Sequence, residues 1–210
     1  MYIPKAYRED RQDELLAFMR AHSFIMLVSV LDGVPFASHV PVAVAQQDDA
    51  VVLRGHLAKA NPQARAFGAG EALAIFSGPH AYISPTLYEK HESVPTWNYI
   101  AVHAYGPLRA IHAAEDKAWV EAALRELIAT YEGAYQAHWD SLPANYRDGM
   151  VQGIIGFEMR VTRLEGKYKL SQNRSATDRH TVAAALLESE DTAAQATGAA
   201  MQRALNGVQE

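Results

Sequence analysis

Leu15, Leu16, Phe18 and Met19 recur at helical spacing behind Asp10 and Asp13, which can cap a first turn, and predict a short amphipathic helix. The period then changes. Residues 24–30 read as a buried strand, Asp32-Gly33 as a hairpin turn, and residues 36–45 as a second strand with Val40, Val42 and Val44 on one face and His39 and Ala43 on the other. After a turn at Asp48-Asp49, residues 51–57 form a third strand whose Arg54 and His56 point away from Val51, Leu53 and Leu57. Three such strands in succession predict a meander.

Asn61-Pro62 predicts a helix running to about Gly68, with Asn as cap and Pro in the first turn. Residues 72–77 are an apolar strand, which Gly78-Pro79 is expected to break, and Tyr82-Ile83-Ser84-Pro85 reads as an extended segment ending in a turn. Residues 97–111 alternate clearly, with Ile100, Val102, Ala104 and Leu108 on one face, Tyr99, His103, Tyr105 and Arg109 on the other, and a bend expected at Gly106-Pro107. Trp119, Val120, Leu124, Leu127, Ile128 and Tyr131 predict a strong helix, residues 143–152 a weaker one, and residues 154–164 a strand exposed on one side. Val182, Ala185 and Leu186 place another helix. Residues 192–205 are alanine-rich and short of large apolar side chains, a helical tail expected to fray or to lie on a partner. The organisation expected is a main domain over residues 1–187 and a tail over 188–210. Six or seven strands at short spacing with two or three helices make the fold class mainly β with peripheral helices (α+β), an antiparallel barrel or coiled sheet.

With 49% apolar residues in 210, the chain has ample material for a core, and with no cysteine it has no disulfide, thiolate metal site or thiol nucleophile. The start has neither the basic nor the apolar region of a signal peptide, and no apolar run spans a bilayer, so a cytoplasmic protein without membrane association is expected. A net charge of −5 denies the surface as a whole the basic field of a non-specific nucleic-acid binder. Any DNA contact must come from a local patch.

Three stretches carry candidate chemistry. Residues 53–62 end a strand, supply Lys59 and start a capped turn, so an ammonium and free N–H groups can converge on one phosphate; an ordinary strand-to-helix turn with a solvated lysine has the same pattern. Trp97 and Asn98 can cover a planar heterocycle and hydrogen-bond its edge, or serve as core or interface anchors. Between Arg160 and Arg179 six cations face two anions, a patch for phosphate, a dinucleotide or DNA, or a solvated loop. His39, His56 and His103 lie on strands that can meet at a barrel mouth, though a lone strand histidine is more often simply hydrogen-bonded, and no metal-binding spacing appears. No P-loop, GxGxxG or nucleophile elbow is present.

Five segments taken together resemble the PaiB-type FMN-binding negative transcriptional regulator family: Met1-Tyr2-Ile3-Pro4; the Gly55-His56-Leu57-Ala58-Lys59-Ala60-Asn61-Pro62 block; Phe76 through Gly78-Pro79-His80-Ala81-Tyr82-Ile83-Ser84-Pro85; Val94-Pro95-Thr96-Trp97-Asn98-Tyr99; and Leu164-Glu165-Gly166-Lys167 with Lys169-Leu170-Ser171-Gln172-Asn173-Arg174. The resemblance covers residues 1 to about 187. It implies an antiparallel split β-barrel of the FMN-binding type, a homodimer, and FMN as cofactor. It also implies that Lys59 holds the flavin phosphate with His56 and Asn61 beside it, and it makes His39, Trp97, Asn98, Lys169, Ser171, Gln172, Asn173 and Arg174 further candidates for the flavin pocket. Related oxidases carry an arginine where this chain has Ala58. The functions implied are negative transcriptional regulation, acting on DNA directly through the Arg160 to Arg179 region or through another protein, or alternatively flavin-dependent oxidoreduction of the pyridoxamine-phosphate-oxidase or flavin-reductase type. Related barrels that bind haem add a third possibility.

Overall fold

The computed structural model describes residues 1–207. Two compact units divide the chain: Met1–Leu15, Ser77–Val102 and residues from Glu165 onward form one, and Leu16–Phe76 with His103–Leu164 form the other. The second is called here the sheet unit and the first the terminal unit.

The strands are β1 (Arg8–Glu9), β2 (Phe24–Leu31), β3 (Val34–Pro41), β4 (Ala43–Gln47), β5 (Ala50–Ala58), β6 (Glu71–Ile83), β7 (Thr96–His112), β8 (Ile154–Arg160) and β9 (Arg163–Lys169). The helices are α1 (Gln12–Ala21), α2 (Ala113–Glu132), α3 (Tyr135–Ser141), α4 (Ala144–Gln152), α5 (Ala176–Leu187) and α6 (Thr192–Asn206). No helix among the described residues is long and apolar enough to cross a membrane.

In the sheet unit, β2 pairs antiparallel with β3 and with residues 73–75 of β6, and the run β7-β8-β5-β4 is hydrogen-bonded in that order. Alternation decides what each strand buries: Ile25 and Leu27 of β2, Val51 and Leu53 of β5, and Phe157 and Met159 of β8 are all nearly inaccessible. The expected single strand over residues 36–45 divides at Val42, which is wholly buried, so β3 and β4 belong to different pairings. The register sets Met26 opposite His39 and Ile75, and Val28 opposite Ala37 and Leu73. That puts Phe24, Met26, Val28 and Val30 on one broad apolar face with Leu73 and Ile75, and Phe24 and Val30 are more than half exposed.

Two expected interruptions are absent, for a physical reason. β6 continues through Gly78-Pro79, and β7 keeps its alternation through Gly106-Pro107. At Gly106 a Cβ would lie 2.2 Å from the carbonyl oxygen of Arg160, so glycine serves close backbone approach there and not a bend. The expected helix after Asn61 is a 3₁₀ turn over Pro62–Ala66. α2 contains a non-helical residue at Asp116, whose carboxylate accepts the Trp119 N–H at 2.9 Å and so caps the regular part of the helix.

In the terminal unit β9, a strand inside what reads as a basic loop, pairs with β1 and with β7. α5 starts at Ser175, whose Oγ accepts the Asp178 N–H, and α6 starts at Asp191, whose carboxylate accepts the Ala193 N–H. α6 buries Ala194, Thr197, Gly198, Ala200 and Met201. A Cβ on Gly198 would come 3.0 Å from the Ala183 carbonyl, so small residues let α6 press closely on α5. Small side chains that look weak in the sequence thus give a close helix pair. The last three residues of the expected tail, 208–210, lie outside the described residues.

Candidate functional site

The four sheet-unit candidates occupy different surroundings. His39 is exposed on the apolar β2–β3 face, its ring 6.3 Å from that of Phe24. His56 is half-buried and lines a cavity with side chains of α2, including Leu124 and Leu127. Lys59, one residue past β5, lines a different cavity of about 270 Å³ with His112, Glu115 and Gln152. Asn61 is a structural cap: its Oδ1 accepts the Gln63 N–H at 3.0 Å and its Nδ2 donates to Ser38 Oγ at 2.9 Å. Gln63, which that cap positions, is fully buried and donates through Nε2 to the Leu27 carbonyl and Ser29 Oγ.

Lys59 combines exposure with freedom. The backbone N–H of Lys59 is held by the Gly153 carbonyl at 2.9 Å, while its ammonium makes no ion pair or hydrogen bond among the described residues. Beside it, the first turn of α2 starts at His112, whose side chain caps no N–H. An unpaired ammonium, an imidazole and a carboxamide make a donor set suited to an anion, opposed among the lining residues by the Glu115 carboxylate. His112 comes from the end of β7 and Gln152 from the end of α4, so no local sequence pattern could have joined them to Lys59.

In the terminal unit the candidates fall into an aromatic surface and a tied loop. Trp97 is half exposed, with its ring 5.9 Å from Tyr82 in an edge-on arrangement and 6.1 Å from His80. Tyr82 is equally exposed, so the trio presents an open π-surface. The neighbouring Asn98 points the other way and is wholly buried, donating to Ser171 Oγ at 2.9 Å and to Met201 Sδ at 3.3 Å; its Oδ1 has no partner among the described residues. Ser171 has φ of 64°, the left-handed region that a serine occupies only when its surroundings hold it there. Gln172 folds back on its own strand, its Oε1 accepting the Leu170 N–H and its Nε2 donating to the Tyr168 carbonyl. Asn173 is exposed and makes no side-chain bond among the described residues.

The cations of this loop are engaged. Lys169 donates to Thr96 Oγ1 and to the Trp97 carbonyl, and burial, aided by the charge of Lys167, pulls its pKa below the usual lysine value. Lys167, 8% exposed, sits 5.1 Å from the Tyr99 ring centre and 5.7 Å from that of Tyr2, and donates to the Tyr2 carbonyl at 3.1 Å. The Arg174 guanidinium stacks 3.9 Å over Tyr88 and donates to Ser93 Oγ. In the sheet unit, Arg163 lies 3.6 Å over Tyr105. Of the six cations in the run that looks like a basic patch in the sequence, Arg163, Lys167 and Arg174 lie against rings and Lys169 is held by Thr96 and the Trp97 carbonyl.

The family described as "Putative FMN-binding domain" matches residues 1–163. The chain is 38% identical over 185 residues to the protease synthase and sporulation protein PAI 2 of Bacillus subtilis (strain 168), with 85% of each chain covered. It therefore belongs to the PaiB-type FMN-binding family, whose cofactor is FMN. Among solved structures it is similar to the flavocytochrome Anf3 of Azotobacter vinelandii, with a TM-score of 0.58 and 16% identity over 80% of this chain and 72% of that one. It is also similar to the FAD and haem binding protein of Mycobacterium smegmatis, with a TM-score of 0.57 and 15% identity over 82% and 78%. The fold is the antiparallel α+β split barrel that these proteins share.

Proposed function

We propose that this chain is an FMN-holding negative regulator of transcription that acts through a protein partner. The observation that carries the flavin half is the unpaired Lys59 ammonium beside a cavity rich in donors. FMN brings a phosphate dianion and a flat ring. Lys59, with His112 and Gln152, is the set suited to the phosphate. Bound FMN would supply a redox-active ring; the residues named here bind and orient it.

The regulatory half rests on the PaiB-type family and on the relative's name, which concerns protease synthesis and sporulation. Indirect action is favoured because Lys167, Lys169 and Arg174 are committed to rings, carbonyls and hydroxyls within the fold. We further propose a homodimer formed on the apolar β2–β3–β6 face, where exposed Phe24 and Val30 need covering. Sedimentation of Val30→Lys at monomer mass, against a native dimer, is the expected result; a native monomer at micromolar concentration contradicts it.

Anaerobic visible titration with FMN and then NADPH tests the functional reading. Saturable flavin binding without bleaching is expected. Bleaching at a turnover-relevant rate would replace the regulator with a flavin oxidoreductase, and absence of binding would remove the flavin site.

A further inference from the structure

We propose that the cavity between β5 and α2 is a second ligand site, for a small hydrophobic amine, independent of the flavin reading. The cavity measures about 270 Å³ and lies wholly within the sheet unit. Leu124, Leu127 and Ile128, spaced along one face of α2, form its aliphatic wall. A space of this size has room for a one-ring body.

Its polar groups define the rest of the ligand. Tyr131 and Tyr135 stand with Glu132 among the lining residues, and Tyr131 is pinned by a 2.7 Å hydrogen bond between its hydroxyl and Ser23 Oγ. Glu132 makes no ion pair among the described residues, so a carboxylate is present with no resident cation. Two phenol rings beside a carboxylate are a cation-binding surface, because the ring faces are electronegative and add to the carboxylate's attraction. His56 is the only histidine lining the cavity, and its imidazole has no hydrogen-bond partner among the described residues. Burial lowers its pKa, keeping it neutral at pH 7, so it offers a hydrogen bond without repelling a cation. An apolar body with one ammonium satisfies every group, whereas a carboxylate or phosphate would face Glu132.

The test uses the native full chain with phenethylamine as probe and 2-phenylethanol as its uncharged counterpart, followed by NMR shift titration. Saturable shifts with the amine are expected, with the alcohol about fivefold weaker, the scale of an exposed cation–ring and carboxylate contact. Glu132→Gln should narrow the gap between amine and alcohol, leaving only the part due to the rings. Leu124→Trp, which fills a half-buried wall position, should abolish both while FMN binding and the thermal midpoint stay native. Should Leu124→Trp fail to fold, Glu132→Gln on the surface still decides. No saturable shift in the native protein overturns the site, as do shifts that neither variant moves. Equal affinity for amine and alcohol overturns the assignment of the ligand as an amine.

Discussion

Two sets of lysines in this chain look alike in the sequence and have opposite surroundings. Lys59 stands past the end of β5 with its ammonium exposed and unpaired among the described residues. Lys167 and Lys169 sit on β9, the first nearly buried between aromatic rings and the second tied to Thr96 and the Trp97 carbonyl. Spacing favours the turn at Lys59 as an anion site while a local charge count also points to the β9 run. The surroundings separate the two, because a cation whose hydrogen bonds and field are consumed inside the fold has little left for a ligand.

Breaking that contrast is straightforward. The largest effect expected is on FMN affinity: Lys59→Ala should weaken it by about 1.5–3 kcal/mol, the scale of a charge-assisted hydrogen bond, with the unfolding midpoint unchanged. Fluorescence titration of FMN measures it. Next in size, Lys167→Ala should cost about 1–2 kcal/mol of stability in urea unfolding, because it removes two cation–ring contacts and a bond to the Tyr2 carbonyl. Its FMN affinity should be native. A smaller effect concerns His56, which resembles a companion of Lys59 in sequence but faces another cavity. Burial depresses its folded pKa below the unfolded value near 6.5, so its contribution to stability is complete above about pH 6.5 and is lost as the pH falls through the folded pKa. His56→Gln should therefore flatten the fall in unfolding midpoint below about pH 6.5, leaving the part due to His22, which burial depresses likewise. The smallest effect is salt: FMN affinity of the native protein should weaken severalfold over a tenfold rise in salt, and that of Lys59→Ala should weaken less.

The strand pattern was legible wherever one face is buried. The alternation expected from Ile100 to Leu108 in β7, and at Phe157 and Met159 in β8, matches the observed burial, since a two-residue period allows only one register against a core; it lapses at Ile111 and at Gly156, which are buried out of phase. Where the sequence misleads, side chains speak less than backbone contacts: Gly106 and Gly78 look like breaks and are points within continuous strands. β9 was hidden because Lys167 buries its stem and head against rings, and Lys169 is tied to a hydroxyl and a carbonyl, that lie far away in sequence. The candidate site was legible only in part. Lys59 stands out from its strand-then-turn setting, but His112 and Gln152 reach it by folding alone. Asn98, chosen for its place beside Trp97, and Gln172, chosen as part of the Lys167 to Arg174 polar run, hydrogen-bond within the loop of Ser171.

The most direct measurement is a paired one, FMN isotherms and urea unfolding curves for Lys59→Ala and Lys167→Ala beside the native protein. The contrast predicts that Lys59→Ala loses flavin affinity at native stability and that Lys167→Ala loses stability at native affinity. Native FMN affinity in Lys59→Ala together with lost affinity in a folded Lys167→Ala would contradict it and move the phosphate site to β9.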